Sequence, residues 1–184
     1  LPLHTTLPDG GSVTVDTATE SQISQMYELI HAAAMLGEGY GVDEYQTEEE
    51  FREEIRGGHT FRRVENGSRG RLIAAFSLAT SKFYRGNDVA DPILIVRREE
   101  RRKGIGEFLF RNAVLFSRRL GFAGVYTDTF SNNTAMIRII ERSPGFKMVG
   151  YLPLGGKMPD GATVGANIYF KDLRVSGEDA GSSG

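Results

Sequence analysis

One segment of the sequence restricts the possible folds of this chain more than any other. An apolar run from Ile93 to Val96 leads into a group of cations, a Gly-x-Gly turn at Gly104 and Gly106, and an amphipathic stretch. The cations are Arg97, Arg98, Arg101, Arg102 and Lys103. A strand, a glycine turn and a helix in this order present backbone amides at the helix N-terminus, where the helix dipole favours an anion. The segment therefore predicts a cradle for a phosphorylated ligand.

Two familiar glycine-rich motifs do not match this turn. A P-loop places a Lys-Ser/Thr pair after its second glycine, whereas Gly106 is followed by Glu107 and Phe108. A dinucleotide-binding fingerprint needs a third glycine at the position that Leu109 occupies. An Arg-rich solvated turn before an ordinary helix would explain the residues equally well, so the surrounding sequence has to decide.

A second block follows along the chain. Apolar residues at helical spacing predict a helix over residues 104–120, with Gly121 as its C-terminal cap. Residues 123–130 mix β-branched and aromatic side chains, which is typical of a strand. Ser131 or Asn132 is expected to cap a further helix, which ends before a Ser-Pro-Gly-Phe segment.

Together the two blocks resemble the signatures of the GCN5-related N-acetyltransferase (GNAT) family. The pattern Arg101-x-x-Gly104-x-Gly106 is similar to the family's acetyl-CoA pyrophosphate-binding motif. The second block has the family's Asn at a helix start, an Ala three residues on and a closing Gly-Phe, here Asn132, Ala135, Gly145 and Phe146. Two signatures in the right order are far more specific than one.

The order of the remaining elements agrees with this resemblance. Strands are predicted over 12–17, 60–65, 71–81, 89–96, 123–130, 147–151 and 166–172. Capping-box patterns at Thr19 and Thr47 open two more helices, which end at Gly37 and at Gly57-Gly58, and Asn66-Gly67 predicts a hairpin turn. The resemblance implies the GNAT acyl-CoA N-acyltransferase fold. This is an α+β fold, an α/β/α sandwich around a mixed, mostly antiparallel sheet of seven strands, splayed between the fourth and the fifth.

Length and charge narrow the possible partners. The 184 residues fit one N-acetyltransferase domain over 1–175, followed by a small polar tail at 176–184 that we expect to be disordered. A net charge of -2 argues against bulk attraction to nucleic acid. No apolar run reaches the ~20 residues that span a membrane. We therefore expect neither nucleic acid nor a membrane as a partner, and we expect a cytoplasmic protein. The sequence leaves the oligomeric state open, including a homodimer, and a targeting segment before Leu1 would not be visible.

Metal chemistry is not expected either. The chain has no cysteine, and its three histidines are scattered without the spacing of metal ligands. The only cosubstrate that the resemblance implies is acetyl-CoA.

The resemblance also implies where acetyl-CoA binds. Backbone groups near Leu94 and Val96 should pair with the pantetheine arm, and the side chain of Asn132 should reach the same arm. The pyrophosphate should be held by the segment Arg101, Arg102, Lys103, Gly104, Ile105 and Gly106.

The sequence departs from the family where a proton donor is expected. Many members carry a Tyr seven residues after the Asn, which protonates the leaving thiolate, and here that residue is Ile139. Tyr126, Ser131 or water are possible substitutes, although a strand Tyr is more often a packed aromatic.

Several carboxylates are candidates for the general base. The principal ones are Asp88 and Asp91, at the start of the 89–96 strand, and Asp128, within an apolar strand. A structural hydrogen bond explains Asp128 as well as a catalytic task does. The loop after the first helix is expected to line the acceptor pocket with Glu38, Tyr40, Asp43 and Glu44.

Three functions remain open. The C-terminal half contains Phe146-x-x-Val149-Gly150-Tyr151-Leu152-Pro153 and a closing segment 167–173. It loosely resembles the fungal azetidine-2-carboxylate N-acetyltransferases, which favours a small amine or an amino acid as acceptor, with residues 154–165 as a lid or a plain β-hairpin. The acidic run Glu48-Glu49-Glu50 with Glu53-Glu54 would suit a protein or peptide acceptor, although such a run is more often a solvated helix face. The missing Tyr leaves room for a CoA-binding module without turnover.

Overall fold

The structure, a computed structural model of the chain, describes residues 1–55, 59–65 and 68–174, with the backbone alone for residues 59–65, 68 and 69. Three predictions lie outside these residues: the helix end at Gly57-Gly58, the turn at Asn66-Gly67 and the tail 176–184.

One mixed sheet forms the centre of the described chain. Its eight strands are β1 (Leu3–Thr6), β2 (Ser12–Thr17), β3 (His59–Glu65), β4 (Ser68–Thr80), β5 (Val89–Val96), β6 (Gly124–Phe130), β7 (Lys147–Lys157) and β8 (Thr163–Asp172). They lie in the order β1-β2-β3-β4-β5-β6-β8-β7. Every neighbouring pair is antiparallel except β5 and β6, which are parallel. The predicted mixed, mostly antiparallel sheet is confirmed.

Helices cover both faces of this sheet. Apolar residues of α1 (Glu20–Met35) and α2 (Glu48–Glu54) pack on one face with Ala75 and Ile95. Those of α3 (Ile105–Arg119) pack on the other face with Ala74 and Phe76. α4 (Thr134–Arg142) buries Ile140 against α3. The expected α/β/α sandwich is therefore the architecture of the chain.

Both capping boxes form as their sequences predict. At the start of α1, the Gln22 side chain accepts a hydrogen bond from the Thr19 amide at 2.8 Å. At the start of α2, the Thr47 hydroxyl accepts one from the Glu50 amide at 3.2 Å. Each box satisfies backbone donors that have no partner within the helix, and so fixes where the helix begins.

Two local predictions were wrong. β1 was missed, because it is a short, mostly exposed edge strand without an alternating apolar pattern. The cap of α4 is Asn133, whose side chain accepts from the Met136 amide at 3.2 Å, and not Ser131 or Asn132. Of the two alternatives for residues 154–165, the plain hairpin is the one observed, since β7 extends to Lys157 and β8 begins at Thr163.

The sheet splits between β5 and β6. These parallel strands pair only at Val89 with Gly124 and at Ala90 with Val125, after which they diverge. Each strand keeps its partner on the other side, since β5 pairs with β4 as far as Val96 and β6 pairs with β8 as far as Phe130. This is the predicted splay, between the fifth and sixth strands once β1 is counted.

A buried aromatic cluster holds α3, α4 and β8 together beneath the split. Phe110, Ile140 and Tyr169 form it, and the Phe110 and Phe146 rings lie 5.2 Å apart. The cluster therefore links α3 and α4, whose first turns line the cavity in the split.

Replacing the central ring should destabilise the fold. Phe110 is 0% exposed, so Phe110→Ala leaves a cavity and is expected to lower the free energy of unfolding by about 3–5 kcal/mol in urea denaturation. As a control, Leu120→Ala at a side chain that is 63% exposed should change it by less than about 0.5 kcal/mol. Equal effects of the two substitutions would contradict this description of the core.

Candidate functional site

A cavity of about 690 Å³ occupies the split in the sheet. It extends from the glycine turn before α3, between β5 and β6, to the loop that follows α1. Nine of the predicted site residues line it: Asp91, Leu94, Val96, Arg101, Arg102, Gly104, Gly106, Asp128 and Asn132. The other three, Lys103, Ile105 and Tyr126, do not line it.

The turn before α3 requires a backbone conformation that favours glycine. Gly104, the N-cap residue of α3, has φ +76°, and an added Cβ would lie 3.0 Å from the Pro8 Cβ. Arg102 also has a positive φ, of 63°, which is uncommon for a residue with a side chain. Such turns can aim successive amides at one anion.

The start of α3 leaves donors available for a ligand. Because Gly104 is the N-cap, the amides of Ile105, Gly106 and Glu107 have no acceptor within the helix. At Gly106, an added Cβ would lie 3.3 Å from the Ile139 Cδ1, so a side chain here would crowd the cavity wall. The arrangement fits the predicted phosphate cradle.

The cations of the turn have different surroundings. The Arg101 side chain reaches back into the cavity, where its Nη1 donates to the Glu38 carboxylate and its Nε donates to the Val96 carbonyl at 3.1 Å. Glu38 also forms an ion pair with Arg98, at 3.2 Å. A carboxylate of the α1–α2 loop therefore already neutralises an arginine that was predicted to bind phosphate.

Two further residues of the predicted cradle lie outside the cavity. Lys103 donates from Nζ to Glu100 at 2.9 Å, so its charge is engaged away from the gap. The Ile105 side chain is 1% exposed and belongs to the core between α3 and the sheet, so it can contribute only its amide.

The edge of β5 that faces the gap presents backbone groups to the cavity. The Leu94 carbonyl accepts a hydrogen bond from the Tyr40 hydroxyl, and the Val96 carbonyl accepts from Arg101. In an antiparallel pair the N–H and C=O of one residue point to the same side, so the amides of Leu94 and Val96 also face the gap. Pro92 lies two residues before Leu94, so its backbone nitrogen also faces the gap. Its missing N–H therefore removes no hydrogen bond between β5 and β4.

The loop after α1 spans the split from above. On one side Tyr40 bonds to β5, and on the other an added Cβ at Gly39 would lie 2.9 Å from Nδ2 of Asn133, beyond the end of β6. The Val42 amide donates to the Lys157 carbonyl at 2.9 Å, which ties the same loop to the β7–β8 hairpin. Because Asn133 caps α4, the exposed side chain of Asn132 stays available at the cavity wall.

Carboxyl groups gather at the other end of the cavity. Asp91 is half-buried, and burial together with the neighbouring Asp128 raises its pKa from 3.8 to about 8. Burial also raises the pKa of Glu44 to about 7, although the Gly41 amide donates to this carboxylate at 3.1 Å. The Asp128 side chain is exposed to the cavity, and desolvation by the residues around it raises its pKa as well. A carboxyl group that titrates near neutrality can accept a proton from an ammonium group.

Of the two tyrosines that could donate a proton, Tyr40 lines the cavity and Tyr126 does not. Tyr126 packs its ring against Phe83 and Phe170, with centroid distances of 5.9 Å and 4.7 Å, and its position outside the cavity argues against a role as proton donor. Ile139 does line the cavity, where a family member would carry its Tyr. Burial raises the pKa of Tyr40, which keeps its hydroxyl protonated inside the cavity.

Two charged lining residues were missed as site residues, because Lys82 was not predicted at all and Glu54 only as a member of the acidic run. Glu54 at the end of α2 and Lys82 between β4 and β5 form an ion pair of 3.7 Å at the carboxyl-rich end of the cavity. They lie 28 positions apart and carry no motif, so only the tertiary fold brings them together.

The described residues contain neither a candidate metal site nor a helix that could span a membrane. No group of three or more His, Cys, Asp or Glu side chains in this part of the chain could hold a metal ion. Among the helices of the same residues, none is both long enough and apolar enough to cross a membrane.

Solved structures share this fold. A GCN5-related N-acetyltransferase from Kribbella flavida is similar with a TM-score of 0.70 and 20% identity over 87% of this chain and 97% of that one. The ribosomal-protein-S18-alanine N-acetyltransferase from Escherichia coli has a TM-score of 0.67 and 18% identity over 91% and 97%. The structure of yncA from Salmonella typhimurium with its cofactor acetyl-CoA has a TM-score of 0.71 and 18% identity over 91% and 98%.

The sequence comparisons give a family and no individual relative. No curated protein matches the chain, so the similarity to fungal azetidine-2-carboxylate acetyltransferases stays a prediction. The model of the acetyltransferase (GNAT) family matches residues 23–146, about two thirds of the sequence, including both signatures and the whole split between β5 and β6. The chain therefore belongs to the GNAT family of acetyl-CoA-dependent N-acetyltransferases.

Proposed function

We propose that the chain transfers the acetyl group of acetyl-CoA to the amine of a small molecule or an amino acid. One observation carries this proposal. A single continuous cavity joins the amides and arginines of the glycine turn to the titratable carboxyls at its other end. Both reactants can thus be held in one space, and holding them together supplies much of the acceleration in a transfer of this kind.

The residues present fit the donor. The free amides at the start of α3, with Arg101 and Arg102, would hold the pyrophosphate. The backbone of Leu94 and Val96, with the side chain of Asn132, would line the path of the pantetheine arm. When bound, acetyl-CoA supplies the activated thioester acetyl group that the amine attacks.

Asp91 is the candidate base. An ammonium group must lose a proton before its nitrogen can attack, and the Asp91 carboxyl lines the cavity without a hydrogen-bond partner among the described side chains. Glu44 is less free for this task, because it accepts from the Gly41 amide and so shapes its own loop. Asp128 lies near Asp91 and raises its pKa, which keeps the base poised near neutral pH.

Tyr40 is the candidate proton donor, because Ile139 stands where many family members carry a Tyr. Its hydroxyl lies in the cavity and donates to the Leu94 carbonyl, on the strand edge along which the pantetheine arm would run. A buried phenol that stays protonated can donate a hydrogen bond to a developing thiolate and so stabilise its charge, whereas full transfer of the proton requires cofactor binding to lower the raised pKa.

The acidic run of α2 offers little support for a peptide acceptor. Glu48 accepts from Ser24 at 2.7 Å and pairs with Arg52 at 2.7 Å, and Glu50 completes the capping box at Thr47. These carboxylates stabilise α2 and its contact with α1. The loop over the split also narrows access, which favours a small acceptor.

Binding of acetyl-CoA tests the cradle. We expect Arg101→Gln to weaken binding at least tenfold in calorimetric titration, because a charge-assisted contact to phosphate is lost. Glu38→Gln should strengthen binding several-fold, because the phosphates no longer compete with a carboxylate for Arg101.

Arg119→Gln at the exposed end of α3 is the matched control, since Arg119 does not line the cavity. Equal losses for Arg101→Gln and Arg119→Gln would mean that general charge, not the cradle, binds the cofactor. Weaker binding by Glu38→Gln would show that Glu38 positions Arg101 and does not compete for it.

Asp91→Asn tests the base through activity and stability together. Activity, read as kcat/KM, should fall by about a hundredfold or more and lose its rise between about pH 6 and pH 8. The stability of the native chain should fall with pH while its activity rises. The folded-state pKa of Asp91 is raised from 3.8 to about 8, so between these two pH values the unfolded state loses this proton while the folded state keeps it, and the folded state loses stability as the pH rises.

Without ligand, the melting temperature of Asp91→Asn relative to the native chain should therefore increase from about pH 5 to about pH 8. Asp88→Asn, at an exposed residue just before β5, should change neither quantity. Unchanged kcat/KM in Asp91→Asn would exclude Asp91 as the base, and a pH-independent stability difference would contradict its shielded position.

A further inference from the structure

Carboxyl groups outnumber cations at the acceptor end of the cavity. Four carboxyl groups line it, from Glu44, Glu54, Asp91 and Asp128. Among the described residues, Lys82 is the only cation that lines this end, since the two lining arginines belong to the glycine turn at the other end.

A single cation among the described residues, Lys82, offsets these four carboxyls. Lys82 pairs only with Glu54, at 3.7 Å, and its side chain is 70% exposed. Within the described part of the chain, Asp91 has no hydrogen-bond or ion-pair partner, although it is half-buried. Asp128, Glu54 and Glu44 add to the burial that raises the pKa of Asp91, and Lys82 offsets only part of this effect. A half-buried carboxyl that lines a cavity without a partner is favourable only when it is protonated or when a cation binds beside it.

The chemistry of the reaction uses only part of this charge. One carboxylate accepts the proton of the reacting ammonium, and Lys82 offsets another. With a simple monoamine, at least one carboxylate would remain without compensation. With an amino acid, the substrate's own carboxylate would enter a region where carboxyls outnumber cations, which is unfavourable at close range.

Aromatic rings complete the surroundings. Tyr40 and Tyr45 line the same end, and aromatic side chains offer an apolar, electron-rich surface to an alkyl chain that bears a cation. A flexible chain with a positive charge at each end matches both features.

We infer that the acceptor carries a second positive charge in addition to the amine that is acetylated, and that it is an aliphatic diamine or polyamine. Its reacting nitrogen meets Asp91, and its distal ammonium is held near Glu54 and Asp128. This inference rests on the proposed function and sharpens its acceptor class.

Three acceptors of equal chain length separate the possible charges. 1,6-Diaminohexane carries a second cation, hexylamine carries none, and 6-aminohexanoate carries an anion. Release of CoA thiol from acetyl-CoA by the full-length chain gives kcat/KM for each. We expect the diamine to exceed hexylamine about tenfold or more, mainly through a lower KM, and 6-aminohexanoate to be the poorest.

Variants locate the second charge. Glu54→Gln should lower the diamine-to-hexylamine ratio of kcat/KM at least about fivefold, through a higher KM for the diamine. Glu54→Asp should restore part of the ratio. Glu53→Gln, one residue earlier and outside the cavity, should leave the ratio unchanged. Lys82→Gln should lower the KM of the diamine or leave it unchanged, because it removes the only opposing charge at that end among the described residues.

The outcomes are distinct. If hexylamine or 6-aminohexanoate is the best acceptor, or if Lys82→Gln removes the activity, the diamine inference is wrong while the proposed function stands. Acetylation of a lysine-containing peptide but not of the diamine would also overturn it, in favour of a peptide acceptor. Equal effects of Glu53→Gln and Glu54→Gln would mean that the overall negative charge, and not a contact with Glu54, favours the diamine, which would also overturn the inference. Binding of acetyl-CoA without turnover of any amine or peptide would remove the proposed function as well.

Discussion

The separation of β5 from β6 is the feature on which the rest of the site depends. The strands share two residue pairs and then part, while each keeps a complete ladder on its outer side. Their inner edges therefore present backbone donors and acceptors that no strand satisfies, and unsatisfied backbone groups must find other partners. Here Tyr40 and Arg101 bond to two carbonyls of the β5 edge.

Those two contacts also connect the parts of the site. The loop that carries Glu38 and Tyr40 touches the β5 edge, the arginines of the glycine turn and the start of α4. A ligand that pairs with β5 and places phosphate at α3 would compete with both side chains. We therefore expect entry of the cofactor to rearrange the loop that borders the acceptor, so that the donor and acceptor halves are coupled through one segment.

Charge divides the cavity along its length. Arginines and free amides mark one end, and carboxyls with raised pKa values mark the other. This polarity suits an anionic donor and a cationic acceptor that meet midway, and it keeps each from binding at the other's end.

Local chemistry made much of this site predictable from the sequence. The glycine turn, the Thr19 and Thr47 capping boxes and the Asn132 block are short-range patterns whose backbone consequences follow from neighbouring residues. The splay between β5 and β6 came with the family resemblance. The bond from Tyr40 to Leu94 joins residues 54 positions apart, and the Glu54–Lys82 pair likewise has no local signal. Asn133 and Asn132 are equally good caps by residue type, so only the backbone geometry decides between them.

A crystal structure of the chain with acetyl-CoA would show whether the split in the sheet holds the cofactor. We predict that the pantetheine arm lies between β5 and β6 along Leu94 and Val96, with the pyrophosphate at the amides before and within the first turn of α3. We also predict that Arg101 exchanges Glu38 for phosphate. A cofactor bound outside the split, such as in the shallower cavity beside Leu36, Met158 and Val164, would contradict it.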